Sequence, residues 1–231
     1  MLKPKHWTAI ALLLVLLPPS LWFALAYAGL PRLWSHHEHK LMAGRKDIIS
    51  YTAQDIPGDP INLRLRGREA DITCAFQRAG WSRADDVSVH SGLLIAASVL
   101  FERPYPQAPV SPLYVKDQAE DVAFQLDEGR SADKRHHVRL WRVGKDDWLG
   151  AASFDRGVGL SLYTFQITHH IAPDVDNERD LVGAVLAKSG ARSNGTMGSR
   201  SAAGPWHRNG GGDKYRTDGA IKIFTLGKNC K

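Results

Sequence analysis

This chain is short of cysteine and of the common catalytic loop signatures. Each absence removes a class of chemistry. Its 231 residues hold two cysteines, Cys74 and Cys230, which are far apart and form no CxxC pair. Thiolate zinc, c-type haem attachment and thioredoxin-type chemistry therefore have no support. The two thiols are left to pair in one disulfide outside the cytoplasm, or to stay free. No GxSxG elbow or SxxK occurs, so serine hydrolase chemistry is unsupported. Arg156-Gly157-Val158-Gly159 completes neither a Walker A loop nor GxGxxG. Ser35-His36-His37-Glu38-His39-Lys40 lacks the i, i+4 histidines of HExxH and reads as a solvated linker or headgroup-facing stretch. The net charge is +6, but residues 1 to 46 carry +5 of it and the remaining 185 carry +1. A nucleic-acid partner needs a basic face on the domain itself, so nucleic acid is excluded.

Charge is also missing from Trp7 to Leu30. That run is long enough to cross a bilayer, which takes about 20 apolar residues. Trp7, Trp22, Tyr27 and Trp34 suit the interfaces, and Pro18-Pro19 predicts a kink. The rival is a cleaved signal peptide ending at Ala26-Tyr27-Ala28, but Leu21-Trp22-Phe23-Ala24-Leu25 stays apolar where a cleavage region turns polar. The expectation is a basic N-terminus over 1–6, a transmembrane anchor over 7–30, a juxtamembrane linker over 31–55 and one domain over 56–231. Lys3 and Lys5 argue for an inside N-terminus, whereas Arg32, Lys40, Arg45 and Lys46 pull the other flank inward. A single-pass protein of the cell membrane with an extracytoplasmic domain is the favoured topology.

Within the domain, Ile61, Leu63 and Leu65 alternate with Asn62, Arg64 and Arg66, which predicts a half-buried strand. Apolar spacing predicts helices over Glu69–Ala79, Asp86–Phe101 and Val175–Lys188, the first and third closed by Gly80 and Gly190. Arg103 to Pro112 holds four prolines and reads as an extended connector. Short apolar runs at 113–115, 122–126, 138–143, 148–154 and 160–171 predict an antiparallel meander. Ala191 to Gly219 reads as loop, and Ala220 to Leu226 as a last strand. This order predicts an α+β fold, with an antiparallel or mixed sheet and about three helices grouped on one face.

Two tandem histidine pairs, His136-His137 and His169-His170, concentrate the polar chemistry. Strand alternation predicts that His137, Arg139, Thr168 and His170 share a polar face, with His136 and His169 packed inside on backbone partners. Candidate catalytic residues are His137, His170, Asp155 and Arg139, as an acid–base pair with an anion grip. Imidazoles with carboxylates also suit a divalent metal, for which His137, His170, Asp174 and Asp176 are candidates. Asp174 and Asp176 have a plainer reading as the cap and first turn of a helix. A glycine run, Arg208-Asn209-Gly210-Gly211-Gly212-Asp213, is a candidate anion cradle.

Ile56-Pro57-Gly58-Asp59-Pro60-Ile61-Asn62, Ala79-Gly80-Trp81, Arg103-Pro104-Tyr105, Ala108-Pro109-Val110-Ser111-Pro112-Leu113, both histidine blocks, and Gly204-Pro205 with the 208–213 run occur in that order. Together they resemble the LssY C-terminal-domain family from about Leu33 onward. Where the family pattern has Thr-Gly before the second histidine block, this chain has Thr164-Phe165. The resemblance implies a bacterial membrane-anchored domain and names no reaction. The resemblance also implies that family members are sometimes fused to membrane modules similar to lipid phosphatases. The reading is an accessory or binding domain of the cell envelope, with the membrane and an envelope protein or lipid-linked molecule as partners. The alternative is a hydrolase, metal-dependent or not, acting on a phosphate-containing or lipid-linked envelope substrate.

Overall fold

The computed structural model describes residues 4–33, 49–53, 55–85, 105–108, 110–129, 133–198 and 206–227, with the isolated positions 90, 94, 97, 98 and 101. The expected helix over Asp86–Phe101 lies largely outside the described residues, as does Ser35–Lys40. Helix α1 (Pro4–Ala24) runs through Pro18 and Pro19 and passes into a π turn at Leu25–Gly29. From Ile10 to Leu33 it is long and apolar enough to cross a membrane, and it is nearly bare of contacts with the domain.

The domain consists of three layers. An eight-stranded mixed sheet lies in the middle, with β11 (Arg192–Gly198), β14 (Ala220–Thr225), β3 (Leu63–Arg66), β9 (Asp147–Leu160), β8 (Arg135–Gly144), β7 (Val122–Asp127) and β4 (Ser82–Arg83) in spatial order, and β10 (Ile167–Ile171) paired to β9. All pairings are antiparallel except β14 with β3. Helices α2 (Glu69–Arg78) and α3 (Val175–Lys188) cover one face. Their Ile72, Phe76, Val182 and Leu186 meet Leu63, Leu65, Phe124, Val138, Leu140, Trp148 and Phe224 from the strands. Each such fully buried side chain contributes about 1.5–3 kcal/mol. A four-stranded sheet of β2 (Pro57–Pro60), β1 (Ile49–Tyr51), β5 (Tyr114–Val115) and β6 (Gln118–Ala119) lies against the other face. There Leu113 and Val115 pack on Trp141 and Ala151, and the Trp141 indole donates to the Leu113 carbonyl at 3.2 Å. A two-stranded ribbon, β12 (His207–Arg208) and β13 (Lys214–Tyr215), completes the fold.

The helix boundaries follow the expected periodicity, and Asp174 caps α3 by accepting from the Asn177 amide at 3.3 Å. The expected loop over Ala191–Gly219 is corrected. Its first part is β11, an exposed edge strand that pairs with β14 through its backbone. Its Gly, Ser and Asn content carries no apolar alternation, so side-chain pattern does not report it. β1 falls inside the stretch read as linker, because it is tied to β2 and β5.

Candidate functional site

The face of β8 opposite the helices presents Arg135, His137 and Arg139, with cross-strand neighbours Asp155 and Ser153 on β9 and Gln125 on β7. The small sheet adds Asp59 from β2, so charged groups are enclosed between two sheets. Arg135 Nε donates to Asp155 Oδ2 at 3.0 Å, and its Nη1 to Gln125 Oε1 at 2.9 Å and the Ala108 carbonyl at 3.2 Å. Arg139 Nη1 donates to Asp59 Oδ2 at 2.7 Å. Ser153 Oγ donates to the same oxygen at 3.0 Å. His137 Nδ1 faces Asp155 Oδ2 at 3.3 Å, and its Nε2 lies 2.9 Å from Ser153 Oγ and 2.7 Å from Arg139 Nη1.

Burial works against ionising Asp155, but His137, His169 and Arg135 outweigh it and hold the carboxyl well below its ordinary range. Asp59 is likewise lowered. Burial opposes its charge and is overcome by His137, 3.6 Å away, and by the charge of Arg139. For His137, burial disfavours the charged ring, yet the pull of Asp155 prevails over both burial and Arg139, and its pKa rises. A guanidinium only donates, however, so Arg139 at 2.7 Å from Nε2 requires that nitrogen to be bare. The protonated ring and the present Arg139 contact exclude each other.

This polar cluster floors a cavity of about 290 Å³. Asp59, Arg135, His137, Arg139 and Asp155 form its floor, while Ile56, Leu113, Tyr114, Ile167, Thr168, His169, Gly210 and Gly211 are among its walls. Ser153 is fully buried and is not part of the lining. The Ser153–His137–Asp155 chain thus has triad-like distances without an accessible nucleophile.

His137, Arg139 and Asp155 are therefore brought together, whereas His170 is not with them. β9 and β10 pair regularly from Leu160–Ile167 to Gly157–His170, and then the register shifts, so that Ile171 meets Asp155. The extra residue at Arg156 turns the two halves of the pairing over. His169 lines the cavity instead, and His170 lies over Gly159, where an added Cβ would come within 2.4 Å of its Nε2. There His170 Nδ1 bonds Asp213 Oδ1 at 2.9 Å, with Arg156 at 3.3 Å from the same oxygen and the Ile171 amide on Oδ2 at 3.0 Å. The expected facing of the second histidine pair is thus inverted. His136 does sit on the helix side, but its partner is the Glu178 carboxylate of α3 at 2.9 Å rather than backbone.

The four residues read as metal ligands lie apart. Asp174 caps α3 and bonds Arg216, and Asp176 accepts from Thr217, Arg179 and the Asp218 amide. Among the described residues no three His, Cys, Asp or Glu side chains converge to hold a metal. In the 208–213 run, the amides of Gly211 and Asp213 donate to Asn209 Oδ1, and that of Gly212 to the Asn209 carbonyl. Three of its N–H groups are thereby spent inside the loop, and Arg208 Nη1 donates to the Gly212 carbonyl at 2.6 Å.

Sequence reading missed Asp59, Arg135, Ser153 and Gln125. Asp59 had a signal, since it stands between Gly58 and Pro60 in a run free of other charge, but its partners are eighty or more residues away.

No curated protein and no solved structure matches the chain. The family model described as the LssY C-terminus matches residues 44–221, a span that includes every residue of the cavity floor. On that match, covering more than half of its length, the chain belongs to the LssY C-terminal family.

Proposed function

We propose that this is a membrane-anchored binding domain of the bacterial cell envelope whose cavity takes a small anionic group, such as a phosphate. The observation that supports it is the cavity floor, where two arginines, two aspartates and a histidine are buried side by side. Such ion pairs are seldom the most stable filling for an interior. Charged groups with shifted pKa values gathered in a cleft mark functional sites. The cavity is small beside ligand pockets of about 300–1,000 Å³. Its two arginines and two aspartates cancel, so His137, whose pKa is raised, sets the sign of the floor. Anion uptake is then coupled to proton uptake. Cys74 is disulfide-bonded, which favours an oxidising compartment and hence an extracytoplasmic domain.

The second reading is a hydrolase acting on a phosphate-containing or lipid-linked substrate, favoured by the His137–Asp155 pair as acid–base machinery. Binding is preferred because Ser153, the hydroxyl against His137 Nε2, does not line the cavity, and that nitrogen is already held by Arg139. The test is calorimetric titration of the full chain in nanodiscs with phosphate, glycerol phosphate and neutral glycerol, between pH 5.5 and 8, beside His169→Ala. Anion binding that strengthens as pH falls and weakens in the variant supports the reading. Equal response to glycerol, or none to either anion, refutes it. Release of phosphate from the ester would favour the hydrolase.

A further inference from the structure

Beyond Asp155, β9 leaves β8 and pairs with β10 alone, so the two strands run on as a ribbon past the edge of the main sheet. Its closing loop, Ser161 to Gln166, has its polarity reversed. Ser161 and Thr164 are 2% and 1% exposed, the serine hydroxyl accepting from the amides of Tyr163 and Thr164. Leu162 and Phe165 are 63% and 52% exposed. Surface turns ordinarily do the opposite. Phe165 also sits at φ +55°, a left-handed conformation that glycine adopts freely and bulky residues rarely. An aromatic ring is held out to solvent at a position whose backbone disfavours it.

The apolar surface continues down one face of the ribbon. Leu160 pairs with Ile167 and Val158 with His169, which puts Val158, Leu160 and Ile167 on the side that leads to the cavity. All three are exposed. No Asp or Glu occurs from Arg156 to Ala172. The Leu162 amide donates to the Gly211 carbonyl, and Leu162 lies against Gly212, on whose carbonyl Arg208 is anchored. Lys214 stands across the ribbon from Arg208, and the one carboxylate of that loop, Asp213, is buried. An apolar tip beside Arg208 and Lys214, with Arg156 at the ribbon's base, matches an anionic lipid surface, with its acyl boundary below and its headgroups around.

The membrane is also within reach. Leu33 at the end of the apolar helix and Ile49 at the start of β1 are separated by fifteen residues. A chain of that length spans at most about 50 Å. We propose that the tip of the β9–β10 ribbon inserts into the same bilayer that holds α1, through Leu162 and Phe165. This rests on the membrane-anchored reading of α1. It makes the domain doubly attached and sets the cavity mouth toward the headgroups.

The test uses the full chain, one copy per nanodisc, in phosphatidylcholine with or without phosphatidylglycerol. A polarity-sensitive fluorophore is placed at Leu162→Cys, at Lys188→Cys on the exposed side of α3, and at Leu17→Cys within α1. Insertion predicts blue-shifted emission at Leu162→Cys and quenching by nitroxides on the upper acyl chain. Both grow with the anionic lipid and fall with salt, and neither occurs at Lys188→Cys. Phe165→Gly suits the left-handed backbone and removes only the ring, so it should weaken the quenching while the domain stays folded. If Leu17→Cys is quenched and Leu162→Cys behaves like Lys188→Cys, the insertion is wrong and the anchor stands. If Leu17→Cys is not quenched, the anchored reading falls and the insertion with it. A blue shift without acyl-chain quenching means that protein covers the tip, which also overturns the proposal.

Discussion

Replacing Asp155 with Asn tests whether the polar cluster is a set of mutually dependent charges. The amide keeps the shape of the carboxylate and removes its charge. It leaves Arg135, almost wholly buried, without the counter-charge it meets at 3.0 Å, and takes from His137 the carboxylate 3.3 Å from its Nδ1. Arg135 retains Gln125 and the Ala108 carbonyl, so its donors stay occupied and the loss is chiefly electrostatic. Breaking one side of such a buried pair costs about 3–5 kcal/mol. That is a large part of a total stability of about 5–15 kcal/mol. For a domain of this size it corresponds to a fall in Tm of roughly 6–20 °C. The assay is urea and thermal unfolding of the full chain followed by circular dichroism. pH adds an independent check. The folded pKa of Asp155 is depressed, so its stabilisation is full above its unfolded value, near 4, and is lost as pH falls through the lower folded one. The gap between wild type and variant should therefore be constant from about pH 5 to 6 and close on strong acidification. A loss under about 1 kcal/mol, the range of exposed pairs, would refute this account of the cluster.

Three further outcomes are expected. Glu178→Gln should cost about 1–2 kcal/mol in unfolding experiments, since it removes a charged hydrogen bond to half-buried His136; because Glu178 raises the His136 pKa, the wild-type advantage is full below about pH 6.5 and disappears as pH rises through the folded value. Gly159→Ala puts a methyl where the His170 ring lies, so it should cost about 1–3 kcal/mol and release His170 from Asp213, visible as a changed imidazole resonance by NMR. Phe165→Gly relieves a left-handed backbone worth about 1–2 kcal/mol but adds about 0.5–1 kcal/mol of unfolded-state entropy, so unfolding should show no loss or a small gain; Phe165→Ala, which keeps the strain, should show no gain.

The fold was legible wherever side chains repeat with the period of their element. The stripe Ile72, Ala75, Phe76 marked α2, and Asp174 marked the start of α3, because a cap is a local device. β11 was not legible, because an edge strand of Arg, Ser, Asn and Gly is held by backbone bonds that any residue can make. In the site, the neighbourhood was readable and the partners were not. His137, Arg139 and Asp155 stood out as polar residues on apolar strands. Which histidine of the second pair joins them depends on one extra residue near Arg156, and alternation alone cannot register a bulge. Asp59 was out of reach for another reason. It arrives from a second sheet, and nothing in its own segment specifies the face it will meet. Asp174 and Asp176 were ambiguous because a carboxylate at a helix start serves a cap and a ligand shell equally well until its neighbours are seen.

The parallel pairing of β14 with β3 constrains the order in which the domain can be made. Among the described residues β14 is the last strand, yet it sits inside the sheet, between β3 and β11, with Lys222 beside Leu63. While the chain is being synthesised, β3 shows a bare edge and β11 has no partner until Thr225 has emerged. Almost the whole domain must then wait, collapsed but unclosed, for its final six-residue strand, and contacts this distant in sequence form slowly. A chain truncated before Ala220 would expose the edge of β3 for good and aggregate.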